Sequence, residues 1–304
     1  MSLWVGHEKR HVTVAGVISR RDFTKSAAAI GIAAACSRNA GAAIPSPDNV
    51  PQGAAALGYN KKLIDLIPTT QDIAPGRTGD YALFEGMFYD PTPPDKSPFS
   101  MENGVLKLPL GKSVATQSRI STQGTLPYLN GSTGFYVEFD VRLSNNHRDH
   151  WPALWVMPQE HNIRGNDHEA GDPRGYERWM ELDVDEGGFG PGTLSSVLDW
   201  QGMFDHRDGQ YWRDYPANRI RGNVVTNFAA KDYLDRTKRH SFGASYHPGS
   251  RAIQWYLDDT VIFKASAPAV ASQHQYYMIA GAQSHGAKVP YDMFLHRIRA
   301  YSVL

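Results

Sequence analysis

Residues 179–185 alternate with a period of two: Met180, Leu182 and Val184 are apolar, while Trp179, Glu181, Asp183 and Asp185 are an indole and three carboxylates. Successive side chains of a β-strand point to opposite faces. The segment therefore predicts a strand with its apolar side in a core and its acidic side turned away. Like charges in a row on one strand face repel, which makes this a poor choice for structure alone. Carboxyls held together against that repulsion have perturbed protonation, and that marks the strand as a candidate functional site. Glu186 interrupts the pattern. A regular strand would send it inward, whereas a one-residue β-bulge near Val184 and Asp185 would return it to the face of Glu181.

Other segments supply further strands. Residues 134–143 alternate Phe135, Val137, Phe139 and Val141 against Tyr136, Glu138, Asp140 and Arg142. Residues 151–157 are apolar on both faces, as in a central strand. Residues 240–246, 252–257, 260–264, 276–282 and 293–303 follow, with Asp258 and Asp259 as a turn. Many short strands punctuated by 28 Gly and 19 Pro predict an all-β sandwich or barrel. No helical pattern of ten or more residues follows the first forty, which argues against a parallel α/β sheet. Residues 61–304 show no second linker, repeat or heptad run and read as one domain, a length acceptable for a sandwich.

Composition excludes several classes. The 304 residues include 31 basic and 31 acidic side chains, so the basic excess of a nucleic-acid binder is lacking. A hydrophobic share of 41%, with 11% aromatic, argues against disorder. One Cys excludes an intrachain disulfide framework and a cysteine-based zinc site. No eighteen-residue apolar run offers an ordinary transmembrane helix.

The first forty residues differ from the rest. Ser19-Arg20-Arg21-Asp22-Phe23-Thr24-Lys25 precedes an Ala/Gly/Ile run from Ser26 to Ala35. A basic patch before a short apolar run is an export signal, and the paired arginines, Phe23, Lys25 and Arg38 resemble the twin-arginine (Tat) type. The expectation is a Tat signal over residues 1–42, cut after Ala40-Gly41-Ala42, then a linker over 43–60. Cys36, after three alanines, is an alternative lipidation site and the one route to a membrane. The Tat machinery is then a partner, and the location is periplasmic or secreted, or that of a lipoprotein. Residues 1–42 hold six basic and two acidic side chains, which leaves 25 and 29 and a net charge of −4.

Glu181-x-Asp183-x-x-Glu186 stands downstream of Trp151-Pro152-Ala153-Leu154-Trp155. Together they resemble glycoside hydrolase family 16, in its subgroup with a bulged catalytic strand (laminarinases, agarases, carrageenases). The resemblance covers most of residues 115–304. It includes Gly134-Phe135-Tyr136-Val137-Glu138, Gln254-Trp255-Tyr256-Leu257-Asp258 and Arg297-Ile298-Arg299-Ala300-Tyr301. It implies a concanavalin-like β-jelly-roll sandwich of two antiparallel sheets that cleaves β-linked polysaccharide with retention. Residue by residue, it implies Glu181 as nucleophile, Glu186 as general acid and then base, and Asp183 as the group that orients Glu181. Trp179 would flank the cleaved sugar. With a bulge, Glu181 and Glu186 lie about four strand steps apart, roughly 13 Å between Cα atoms. Their side chains must lean together to reach the ~5 Å of a retaining pair. Asp185 lies outside the family pattern and reads as a solvated bulge residue.

Two positions depart from that pattern. Asp199, before Trp200, stands where many of the subgroup carry His. It is kept as a substrate contact of altered chemistry, beside Trp151, Trp179, Trp200 and Trp212; Trp155 and Trp255 read as core. His296 stands where many members have a calcium-binding Asp, so no metal or cofactor is expected. Segments 159–178 and 201–221 are expected to rim the site. The first holds His161, Asp167, His168, Glu169 and Asp172 without metal-ligand spacing. The second adds Tyr211, Tyr215, Arg207, Arg213, Arg219 and Arg221, suited to sugar stacking and to pairing with carboxylate or sulfate. Asp205, Asp208 and Asp214 offer those arginines partners within the loop. The resulting expectation is an exported, endo-acting, retaining β-glycanase working as a monomer on polysaccharide, with no nucleic-acid partner. A transglycosylase that remodels bacterial exopolysaccharide would use the same carboxylates. A lectin-like, non-catalytic sandwich would not need all three.

Overall fold

The structure is a computed structural model in which residues 50–76, 79–86, 97–117, 124–162, 176–187, 193–203, 223–227, 234–283 and 288–303 are described. The export signal, Cys36 and residues 43–49 of the expected linker lie outside the described residues. So do Trp212 and the other aromatic and arginine residues of segment 204–222.

Within the unit Ile44–Leu304 the chain forms β1 (Lys61–Leu66), β2 (Ile73–Ala74), β3 (Leu83–Glu85), β4 (Ser100–Glu102), β5 (Val105–Pro109), β6 (Lys112–Ala115) and β7 (Leu129–Asn130). Then come β8 (Phe135–Leu143), β9 (Trp151–Pro158), β10 (Tyr176–Glu186), β11 (Thr193–Met203) and β12 (Asn223–Asn227). The last strands are β13 (His240–His247), β14 (Ala252–Leu257), β15 (Thr260–Ser266), β16 (Gln275–Gln283) and β17 (Asp292–Ser302). Two single-turn helices, α1 (Gln52–Ala55) and α2 (Gln159–Asn162), lie among them.

The strands make two sheets. One runs β15-β14-β13-β8-β17-β5-β4 with β1 beside β17; the other runs β12-β11-β10-β9-β16-β6-β3-β2 with β7 beside β16. All pairs are antiparallel except the two-residue β2–β3 pair. The period-two patterns place the core. Phe135, Val137, Phe139 and Val141 of β8 meet Met180, Leu182 and Val184 of β10 in one buried cluster between the sheets. Every strand expected from residue 134 onward is present. The short strands before it, of two to six residues, went unrecognised.

The alternate face of β8 is also buried. Tyr136 packs with Tyr59, Tyr256 and Tyr301. The Tyr136 hydroxyl donates to Glu138, which pairs with Arg299, so the buried carboxylate is neutralised where it lies. Residues 51–59, expected as linker, help cover this face. The Tyr59 hydroxyl donates to the Tyr246 carbonyl at 2.7 Å, and Ala54 and Tyr59 are fully buried.

Candidate active site

The β10 register creates the site. Asp183 opposes Trp155 of β9, but Asp185 opposes Leu154 and Glu186 opposes Ala153. Two steps along β10 answer one along β9, so the strand bulges at Val184. Toward β11, Asp183 opposes Ser196 and Glu186 opposes Leu194, the same slip seen from the other side. Directly opposed residues share a face. Glu186 therefore returns to the outer face with Glu181 and Asp183, as expected, and Asp185 turns to the core.

A bulge takes carbonyls out of the ladder, and a buried carbonyl needs a donor. The indole of Trp255 reaches across from β14 and donates to the Asp183 carbonyl at 2.8 Å. The Ser195 hydroxyl donates to the Val184 carbonyl at 3.1 Å. Gly187 then passes against β9, its N–H donating to the Pro152 carbonyl at 2.9 Å. A Cβ there would sit 2.3 Å from the His150 carbonyl oxygen and 2.3 Å from Pro152 Cδ. Only glycine fits directly after Glu186.

Each carboxyl has a neutral donor. The Trp200 indole donates to Glu181 at 2.6 Å, and the Trp151 indole donates to Glu186 at 3.2 Å. The Ser196 hydroxyl donates to Asp183. None of these donors carries charge, so burial and mutual repulsion dominate. Burial first, and then the Glu186 charge, push Glu181 up to about 7, against the pull of Trp200 and His161. Burial and the Glu181 charge hold Asp183 well above the carboxylate range. Glu186 is raised well above it by burial, then by Asp183 and Asp185, while Trp151 pulls it down. At neutral pH the group retains protons, and one strand holds both acidic and basic carboxyls.

The other expected site residues divide. Trp151 and Trp200 lie at the carboxyls, but as hydrogen-bond donors through their indole N–H, which sequence reasoning did not foresee. Trp179 does not present an open ring. It is 2% exposed, stacked on His161 at 3.8 Å between centroids and parallel to Trp200 at 5.7 Å. It forms the floor of the site with Trp155, which is buried on this outer face rather than between the sheets.

Asp199 does not join the carboxyls. It opposes Met180, a core residue, whereas its neighbour Trp200 opposes Trp179 on the outer face. Strand alternation puts Asp199 on the wrong side of the sheet for the expected contact. Burial raises its pKa, partly offset by Arg178.

Asp185 is not solvated. It is completely buried, with both oxygens held by Arg236 at 2.7 and 2.9 Å. His161 is expected in a solvated loop that rims the site. It is buried in α2, which is tied down where the Gln275 N–H donates to Glu160 at 3.0 and 3.1 Å.

The described residues do not suit calcium at His296. Its neighbours include Arg239 and Arg142, and Asp140 already pairs with Arg239 through two contacts. Calcium needs a shell of oxygens without competing cations. Among the described residues no cluster of three or more His, Cys, Asp or Glu is arranged to hold a metal.

No family model matches the chain, and no curated protein matches it. Solved structures do. SCLam, a non-specific endo-β-1,3(4)-glucanase from family GH16, aligns at 15% identity and a TM-score of 0.40, over 66% of this chain and 75% of that one. The catalytic domain of an endo-1,3-β-glucanase (laminarinase) from Thermotoga petrophila RKU-1 aligns at 16% identity and a TM-score of 0.43, over 68% of this chain and 81% of that one. LamAcat from Zobellia galactanivorans aligns at 14% identity and a TM-score of 0.50, over 82% of this chain and 100% of that one. At such identities the likeness is one of fold: the chain is an all-β sandwich of two antiparallel sheets that matches the jelly-roll structures of glycoside hydrolase family 16.

Proposed function

We propose that the protein is an endo-acting retaining glycoside hydrolase of β-linked polysaccharide, exported by its twin-arginine leader to the periplasm or beyond. One observation carries the reading: the Val184 bulge brings three raised carboxyls, each with a neutral hydrogen-bond donor, to one face of one strand. The leader residues Arg20, Arg21, Phe23 and Lys25 support export.

The chemistry is a double displacement. The Glu181 carboxylate attacks the anomeric carbon while Glu186 gives its proton to the glycosidic oxygen. The C–O bond breaks, the leaving chain departs as an alcohol, and a glycosyl ester remains on Glu181. Water then loses a proton to the Glu186 carboxylate and attacks the same carbon, which frees Glu181. Asp183, protonated beside Glu181, orients it. Trp200 selects the ionised form of Glu181 through its indole N–H.

That last role gives a prediction. W200F removes a bond that lowers the Glu181 pKa, so the acid limb of the pH–rate profile is expected to move to higher pH, with a loss of about tenfold below neutrality. An acid limb unmoved in W200F would remove the indole from this role.

A reducing-sugar screen over laminarin, mixed-linkage glucan, agarose, carrageenan and bacterial exopolysaccharides tests the function, with E181Q as control. New reducing ends from the parent alone are expected. None from any of these would favour a carbohydrate-binding sandwich. Longer chains in place of new ends would favour transglycosylation.

A further inference from the structure

We propose that the Asp185–Arg236 ion pair is a positioning element that sets the register of β10, so that the carboxyl of Glu186 stands on the outer face against Trp151. The inference rests on the reading of Glu186 as the acid–base group and adds what holds it there.

The bulge puts a charged residue where an apolar one would serve. Asp185 faces the core beside Leu154, fully buried, and both of its oxygens take a guanidinium hydrogen bond. Arg236 is itself fixed. Its N–H donates to the Asn146 side chain at 3.2 Å, its carbonyl accepts from Leu143 at 2.7 Å, and its guanidinium lies 5.4 Å from the Phe242 ring centroid. The pair therefore ties the bulge of one sheet to the end of β8 and the start of β13 in the other.

A buried ion pair is a weak source of stability, because well-packed apolar residues of similar volume do as well or better. Its value lies in specificity. A one-residue slip of a strand exchanges its two faces. If β10 ran regularly through Val184, Glu186 would enter the core and Asp185 would leave it. With Val or Leu at 185, the slip would cost only the burial of Glu186. With Asp185, the slip would strand Arg236 without its partner and bury Glu186 instead. The pair thus penalises the register in which the site is incomplete.

It also acts on protonation. The groups that face Glu186 are Asp183 and Asp185 on its own strand, Glu181 through the shared face, Trp151 from β9, and Arg236 through Asp185. The Asp185 charge is among those that raise the Glu186 pKa.

The test needs no substrate. In the full chain, the Trp151 indole N–H signal and the Glu186 carboxyl titration are followed by NMR in the parent, in D185N and in D185L/R236M. D185N keeps the shape of the side chain, so it decides the question even if the double variant does not fold. The expected result is a Trp151 indole signal displaced from its parental position in both variants, and a Glu186 midpoint lower in D185N than in the parent. D185N folded, with both signals at their parental positions, would overturn the proposal and leave the pair a packing feature. A protein inert on every polysaccharide still gives both signals, so the functional reading and this one fail separately.

Discussion

Glu181→Gln is expected to lower polysaccharide hydrolysis on the order of 10⁴-fold or more, because in the proposed mechanism Glu181 itself forms the ester intermediate. The same substitution should make the folded protein more stable at neutral pH. The linkage has a definite sign. Glu181 is pushed up from 4.5 to about 7 in the folded state, chiefly by burial. The folded chain therefore holds a proton that the unfolded chain gives up. Its stabilising effect is complete below about pH 4.5 and is lost as pH rises toward 7. A neutral Gln keeps the Trp200 contact without the charge, so E181Q should gain about 2 kcal/mol at pH 8 and little at pH 4. Initial rates on the polysaccharide found by the screen, with denaturant unfolding at the two pH values, check both halves. Lost activity without the pH-dependent gain would mean that Glu181 carries no buried charge at neutral pH.

Glu186→Gln should act differently. A positioned general acid contributes about 10² to 10⁴-fold, so the loss on natural polysaccharide should fall in that range. The loss should be far smaller on an aryl glycoside whose leaving group needs no proton. On that substrate the glycosyl ester forms and then waits, because no base activates water. Added azide, which needs no base, should restore turnover and yield a β-glycosyl azide. The pH profile should change as well. In the parent, activity is expected to rise toward neutrality as Glu181 ionises and to fall at higher pH as Glu186 loses its proton, since its pKa lies well above the usual range. In E186Q the descending limb should disappear. A full rate on polysaccharide in E186Q, or a descending limb that persists, would reassign the proton donor.

Period-two alternation made β10 and its two faces legible from sequence. The same alternation required a bulge if Glu186 was to join Glu181. What it left unread depends on the third dimension. A bulge turns two adjacent residues to one face, here Val184 and Asp185 to the core, and alternation alone does not show that. Charge argues for water at Asp185, while its partner Arg236 lies 51 residues away, in the turn before β13. Trp255 shows the same limit. Its burial was legible, but not that its indole would satisfy the Asp183 carbonyl across the core.

Asp199 is another kind of case. Its parity was readable, since Trp200 belongs on the outer face opposite Trp179 and its neighbour must point the other way. The family resemblance implies a contact at Asp199 that the alternation of β11 does not allow. Trp179 carries the converse lesson: parity placed it on the outer face correctly, but His161 of α2 covers its ring, and only the fold brings α2 over β10.

The central claim is a retaining displacement through Glu181. The ¹H NMR signal of the first reducing ends released in the digestion tests it most directly, read before the sugar mutarotates. A β-anomer that appears first and only later equilibrates with α is the result expected here. An α-anomer appearing first would mean a single inverting displacement, and Glu181 would then be a base acting on water rather than the nucleophile.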